Sequence, residues 1–173
     1  MKGYTHIYTG NGKGKTTAAM GLAMRAVGGG LRVYIGEFIK GMEYSEVKII
    51  HERFPEIEVE LFGIEAGCII NRSATEDDVA AAEAGLSKAK AAMLSGRYDL
   101  IIMDELTIPV SLGLLDEQAV LDLIAQKPEE VELVITGRYA TEAMIEAADL
   151  VSDVSEIKHY YRQGVLSRKG IDV

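Results

Sequence analysis

The sequence predicts an α/β fold, with a mainly parallel sheet of about five or six strands flanked by helices. Three observations carry this expectation. Strand-like apolar segments alternate with helix-like segments along the 173 residues. Residues 98–103 (YDLIIM) read as an apolar strand of the type buried on both faces of a parallel sheet. A glycine-rich turn joins the first predicted strand directly to the first predicted helix.

Residues 4–9 form a short strand, and residues 15–27 an alanine- and methionine-rich helix stopped by Gly28, Gly29 and Gly30. Residues 31–38 (LRVYIGEF) are the second strand. Residues 44–53 are helical, and Pro55 prevents their extension. Residues 58–62 are a third strand, followed by the loop 63–73. Thr75 and Asp78 have capping-box spacing, and the acids at 76–78 suit the positive end of a helix running to about residue 95. After the strand at 98–103 come a helix at 116–126 ended by Pro128, a strand at 131–136, a helix from Thr141 to about residue 148, and a last strand at 150–154. In such sheets ligands bind at the carboxyl ends of the strands, so the segments after Thr9, Phe38, Met103 and Thr136 are where chemistry is expected.

Composition narrows the classes. Hydrophobic residues make up 48% and charged residues 26%, which excludes a disordered chain, and the length fits one domain over 1–173. No apolar run approaches the roughly 18–20 residues that span a bilayer. The N-terminus lacks the apolar stretch of a signal peptide. The single cysteine, Cys68, excludes an internal disulfide and a cysteine-rich zinc site. A cytoplasmic protein with no membrane partner is expected. The net charge of −9 argues against nucleic acid as a partner. The charge is uneven: residues 1–40 carry net +5, residues 41–156 net −17 and residues 157–173 net +3. If the two ends meet in space, they make a small positive site for an anion.

The strongest motif is Thr9-Gly10-Asn11-Gly12-Lys13-Gly14-Lys15-Thr16-Thr17, between a strand and a helix. Gly10, Gly12 and Gly14 let the backbone curl so that successive N–H groups face inward. The helix N-terminus adds to the positive field. Lys15 can reach terminal phosphate oxygens, and Thr16 or Thr17 can ligate Mg²⁺. Counting back from Gly14-Lys15 places Thr9 where G-x-x-x-x-G-K-[ST] has its first glycine. Read from Gly10, the loop is therefore one residue short. Asp104 and Glu105, at the end of the buried strand, supply the carboxylates that hold Mg²⁺ directly or through water. Together these give a three-layer P-loop NTPase-like fold.

Other residues carry weaker signals. His6, inside a strand, reads as structural, and His51 as a residue of an exposed helix face. Cys68 reads as an inert thiol. His159 is open between structure and function, and Arg138 between phosphate contact and salt bridge.

With these pieces in place the sequence resembles the P-loop corrinoid adenosyltransferases over nearly its whole length. The shortened loop TGNGKGKTTAA is similar to the family's own. So are Phe38-Ile39-Lys40-Gly41, the metal-site strand at 98–106 (YDLIIMDEL), Thr136-Gly137-Arg138, Ala148-Asp149-Leu150-Val151, and the tail with Lys158-His159 and residues 168–172 (RKGID). The resemblance implies transfer of the 5′-deoxyadenosyl group of ATP to the Co(I) of a corrinoid, with triphosphate leaving. It implies catalytic roles for Lys15, Lys13, Asp104 and Glu105. It implies nucleotide binding by Thr9, Gly10, Asn11, Gly12, Lys13, Gly14, Lys15, Thr16, Thr17, Lys40 and Arg138. Mg²⁺ (or Mn²⁺) would be held by Thr16, Asp104 and Glu105. ATP and a reduced corrinoid are the implied partners, with a flavoprotein or other reductant supplying Co(I); members of the family are often homodimers. ATP bound in reverse relative to ordinary P-loop hydrolases would fit the short loop. The chain departs from the family in the loop 63–73 (GIEAGCIINRS), which lacks the aromatics that contact the corrin. Ile64, Ile69 and Ile70 then form an apolar wall with Phe62 as a partial substitute; if another element supplies the wedge, Tyr44, Tyr160 and Tyr161 are the first residues to test. The alternatives are another P-loop enzyme, a small-molecule kinase or ATPase, and a nucleotide-binding regulatory module without turnover.

Overall fold

A computed structural model describes residues 2–64 and 73–172. Its six strands are β1 (Thr5–Thr9), β2 (Val33–Glu37), β3 (Ile57–Leu61), β4 (Leu100–Asp104), β5 (Glu132–Thr136) and β6 (Leu150–Asp153). They form one sheet in the order β3-β2-β4-β5-β1-β6, and every pairing is parallel. The expected strand count and orientation therefore hold.

The two faces follow from strand periodicity, because successive side chains point to opposite sides. Leu100, Ile102 and Val134 face one layer, where Ala19, Ala23 and Ala26 of α1 (Lys15–Gly28) and Ile50 of α2 (Ser45–Arg53) pack with Val33, Ile35 and Ile57. Ile101, Met103, Leu133 and Ile135 face the other. There they meet α3 (Glu76–Leu94), α5 (Glu117–Ala125) and α6 (Glu142–Ala147) through Leu86, Met93, Leu123 and Met144. The alanine face of α1 lets the helix backbone lie close to the sheet, so its first turn is fixed over the strand ends.

The Thr75–Asp78 capping box forms in both directions, with Asp78 N donating to Thr75 Oγ1 and Thr75 N to Asp78 Oδ2. Two elements were not expected from the sequence. A five-residue helix α4 (Thr107–Ser111) follows β4, with Pro109 in its opening turn, where its missing N–H leaves no orphan. A 3₁₀ turn at Tyr160–Gln163 starts the folded tail and ends at Gly164 in the left-handed conformation, φ 83°. No helix among the described residues is long and apolar enough to cross a membrane.

Phe62, expected as part of an apolar ligand wall, belongs to the core instead. Its ring packs edge-on against Phe38, with centroids 5.1 Å apart, and sits between two glycines. A Cβ at Gly36 on β2 would lie 2.7 Å from Phe62 Cε2, and one at Gly85 on α3 would lie 2.6 Å from Phe62 Cγ. The ring fills the only space these glycines leave. The residues Ile69, Ile70 and Cys68 lie outside the described residues.

This packing separates two glycine substitutions that helix propensity alone would treat alike. Gly21→Ala, on an exposed face of α1 with nothing within 4 Å of an added Cβ, should stabilise by about 0.5–1 kcal/mol. Gly85→Ala should destabilise by about 1–2 kcal/mol, because displacing the Phe62 ring outweighs the helix gain. Urea denaturation of both variants checks this; a stabilised Gly85→Ala would contradict the contact.

Candidate active site

The carboxyl ends of β1, β2, β4 and β5 open onto one cavity of about 1350 Å³. Positive φ angles concentrate there: Gly10 and Gly14 after β1, Ile39 (58°) after β2, Glu105 (58°) after β4, and Gly137 and Tyr139 (64°) after β5. For Ile39, a β-branched residue, this conformation is strained, and such strain persists only where the surroundings impose it.

The loop after β1 is pressed against the end of β6. Gly12 N donates to Val154 O at 2.6 Å, and a Cβ at Gly12 would lie 2.6 Å from the same oxygen. Gly14 is the N-cap of α1 with φ 128° and no side-chain cap, and the first helical bond runs from Ala18 N to Gly14 O. The N–H groups of residues 15–17 precede that bond and have no intrahelical acceptor. No acid stands in the first turn. This is a positive helix end left available for an anion.

Gly12, Lys13, Gly14, Lys15, Thr16 and Thr17 line the cavity, and Thr9, Gly10 and Asn11 do not. The latter three shape the loop from behind. Lys15 is 5% exposed and folds back to donate to Gly10 O (2.7 Å) and Gly12 O (2.8 Å). Burial pushes its ammonium below the usual lysine range. Lys13 donates to Ile171 O (2.9 Å) and Asp172 Oδ1 (2.5 Å), so the C-terminal tail does reach the loop.

Asp104 is fully buried and stands behind the cavity wall. Its Oδ1 accepts from Thr136 Oγ1 at 2.6 Å; its Oδ2 accepts from Lys40 Nζ at 2.7 Å and Thr16 Oγ1 at 3.1 Å. Lys40 Nζ also lies 3.3 Å from Glu37 Oε2. Glu37, the register partner of Asp104 across β2 and β4, is fully buried, and neither of its oxygens accepts a hydrogen bond. Burial pushes the Glu37 carboxyl up to about 7, against the pull of Lys40. Burial works against the charge of Lys40 as well, but Asp104 and Glu37 outweigh it and hold the ammonium above the usual lysine range. Glu105 lines the cavity half-buried, with Glu105 N donating to Thr136 Oγ1 at 2.9 Å. Burial, then the neighbouring Asp104, raises its carboxyl.

Arg138 is exposed at the cavity and makes no ion pair with a described residue, which leaves it available to an anion. The lining also includes the apolar Met20, Ile39, Met42, Ile49, Leu61 and Ile64, and Tyr44, whose ring lies 5.1 Å from Lys40 Nζ, with Glu43, Ser45, Glu46 and Lys48 among them. The cavity therefore offers cations to a polyanion and apolar side chains to a large flat body, with acids interspersed. The tail was read for its cations, yet none of Lys158, Arg162, Arg168 and Lys169 lines the cavity. The tail residues that do are His159, Ser167, Gly170, Ile171 and Asp172. His6 pairs with Glu132 at 2.6 Å away from the cavity, a structural role, and His51 is exposed beside Glu43.

Sequence reasoning missed Glu37, Thr136 as an orienting side chain, and Asp172. An acid in the apolar run VYIGEF is a readable signal for the first. The other two depend on contacts 32 and 159 residues apart in sequence.

Comparison with known proteins gives a consistent result. The family model for "ATP:corrinoid adenosyltransferase BtuR/CobO/CobP" matches residues 1–173. The corrinoid adenosyltransferase of Pseudomonas aeruginosa is 35% identical over 99% of this chain and 84% of its own length. The corrinoid adenosyltransferase of Escherichia coli K12 is 34% identical over 99% of this chain and 86% of its own. The corrinoid adenosyltransferase CobA of Salmonella typhimurium shows the same identity and coverage.

The raised carboxyl of Glu37 has a pH signature. Its folded value, about 7, lies above the unfolded value of 4.5, so the protein is stabilised by the neutral form. That contribution is complete below about pH 4.5 and is lost as pH rises through about 7. Glu37→Gln should therefore gain about 2–3 kcal/mol of stability relative to the parent between pH 5 and pH 8. Denaturation curves at both pH values check this; a difference independent of pH would show that Glu37 ionises normally.

Proposed function

The chain belongs to the ATP:corrinoid adenosyltransferases, and from that premise we propose how its residues carry out the transfer. The reaction read here moves the 5′-deoxyadenosyl group of ATP onto the Co(I) of a corrinoid in adenosylcobalamin biosynthesis or salvage. The lone pair of Co(I) forms the Co–C bond as the C5′–O bond breaks, and the electron pair leaves with triphosphate. No proton is transferred at the reacting carbon, so the enzyme needs no general base. It needs in-line positioning and stabilisation of the charge that develops on the leaving oxygen.

The observation that carries this reading is one cavity that gathers the α1 N-terminus, Lys13, Lys15, Lys40 and Arg138 together with the apolar side chains of Met20, Met42, Tyr44 and Ile64. In it the triphosphate lies against the α1 N-terminus, with Lys15, Lys13 and Arg138 around it and Lys40 at the floor. The corrin faces Met20, Met42, Tyr44 and Ile64. Lys15 leaves the carbonyls of Gly10 and Gly12 for phosphate oxygens. Asp104 orients Thr16 and Lys40 from behind. We read residues 1–173 as one such domain in the cytoplasm, with a flavoprotein or another reductant supplying Co(I), and a homodimer as its assembly.

The donor set suits Mg²⁺ or Mn²⁺. Thr17 and Glu105 line the cavity with Thr16 beside the phosphate loop, oxygen donors of the kind such an ion takes together with phosphate oxygens. Thr16 Oγ1 and Glu105 would hold it, with Asp104 behind them. When bound, it neutralises part of the triphosphate charge.

Lys15→Ala should lower the adenosylation rate by about 10²-fold or more, near 3 kcal/mol of transition-state stabilisation, with the fold intact. Phosphorus NMR of the wild-type reaction should show triphosphate as the phosphate product. ADP would favour a kinase or ATPase, and near-normal turnover by a folded Lys15→Ala would reject the role of Lys15.

A further inference from the structure

Lys13 is bound differently from the other cavity lysines. Lys15 rests on carbonyls of its own loop and Lys40 on buried carboxylates, whereas Lys13 is held by the C-terminal tail. Both of its acceptors, Ile171 O and Asp172 Oδ1, belong to that segment.

Asp172 has three further donors, all within the tail. Tyr160 donates its hydroxyl, Arg168 donates its backbone N–H at 3.0 Å, and Arg168 Nε donates at 3.1 Å. The Arg168 guanidinium stacks over Tyr160, 4.7 Å from the ring centroid. Ile171 N and Asp172 N both donate to Arg168 O, and Gly170 takes φ 74° to close the turn. The tail is thus a self-contained knot in which Arg168 balances the charge of Asp172.

The consequence is an asymmetry. If Lys13 moves away, Asp172 keeps three donors, one of them the Arg168 guanidinium, so its charge is not orphaned. Lys13 loses both acceptors and must find another anion. Its side chain is 39% exposed and lines the cavity, so a phosphate group there competes with Asp172 for the same ammonium. A cavity with Lys13, Lys15, Lys40, Arg138 and a helix N-terminus would otherwise retain a polyanionic product, and product release limits many enzymes.

We propose that Asp172 is a positioning residue that acts through Lys13, competing with triphosphate for it so that the product is released and the tail closes again on the loop. The inference rests on the reading that triphosphate occupies this cavity.

Calorimetric titration of the full chain with inorganic triphosphate tests it, using the wild type, Asp172→Asn, Lys13→Met and the double variant. Asp172→Asn should bind triphosphate about two- to ten-fold more tightly, as expected for loss of a partly exposed competing charge. Its inhibition constant for triphosphate in the adenosylation assay should fall in parallel. In the Lys13→Met background the same substitution should change nothing, a coupling that a purely structural role would not produce. Triphosphate should also speed hydrogen exchange in residues 157–172 of the wild type. Weaker or unchanged binding by Asp172→Asn, an equal effect without Lys13, or a tail whose exchange ignores triphosphate would each overturn the proposal. A wild type that does not bind triphosphate would instead contradict the reading of the cavity itself.

Discussion

The Lys40 ammonium between Asp104 and Glu37 is the contact on which the site depends. It joins the ends of two neighbouring strands, at 2.7 Å to Asp104 and 3.3 Å to Glu37, where both carboxylates are buried. Two buried acids at adjacent register positions would not persist side by side without a cation. Ile39, the residue before Lys40, takes a left-handed backbone at this turn, φ 58°. Asp104, held in this way, shares its Oδ2 between Lys40 and Thr16 on α1 and gives its Oδ1 to Thr136 on β5. One ion pair therefore ties three strands and the helix N-terminus into a rigid floor.

A rigid floor is what the chemistry asks for. The nucleophile in adenosyl transfer is supplied by the substrate, so the protein contributes position and a fixed electrostatic field. Fields of this kind are effective when the dipoles and charges are already in place, because no reorganisation is needed as charge develops. The uncapped N-terminus of α1 and the Lys40–Asp104 pair meet that condition, whereas the loop cations must turn to the substrate. Before substrate arrives those cations rest on protein oxygens: Lys15 on loop carbonyls, Lys13 on the tail and Lys40 on the floor.

The layered fold was legible because its signals are local and repeated. The continuous apolar runs LIIM and LVI mark strands buried on both faces, and Thr75 with Asp78 marks a helix start within four residues. The loop at 9–17 was legible for the same reason. Helix α4 was not, since Pro109 reads as a break unless one knows that it falls in a first turn. Phe62 looked like a ligand wall because the sequence does not show that Gly36 and Gly85 leave a slot its ring fills. The tail was recognised as important for the wrong side chains: its arginines pair with Glu156 and Asp172, and it is Asp172 that meets the loop. Composition counts charges but does not say which ones are already satisfied.

Adenosyl transfer to Co(I) breaks the C5′–O bond of ATP and releases triphosphate. ATP carrying ¹⁸O at the 5′ bridging position tests this most directly. After turnover with a Co(I) corrinoid, mass spectrometry should find the label wholly in triphosphate and none in the adenosyl product. Label retained in a nucleoside or nucleotide product would mean that a P–O bond breaks, and the account of this site would be wrong.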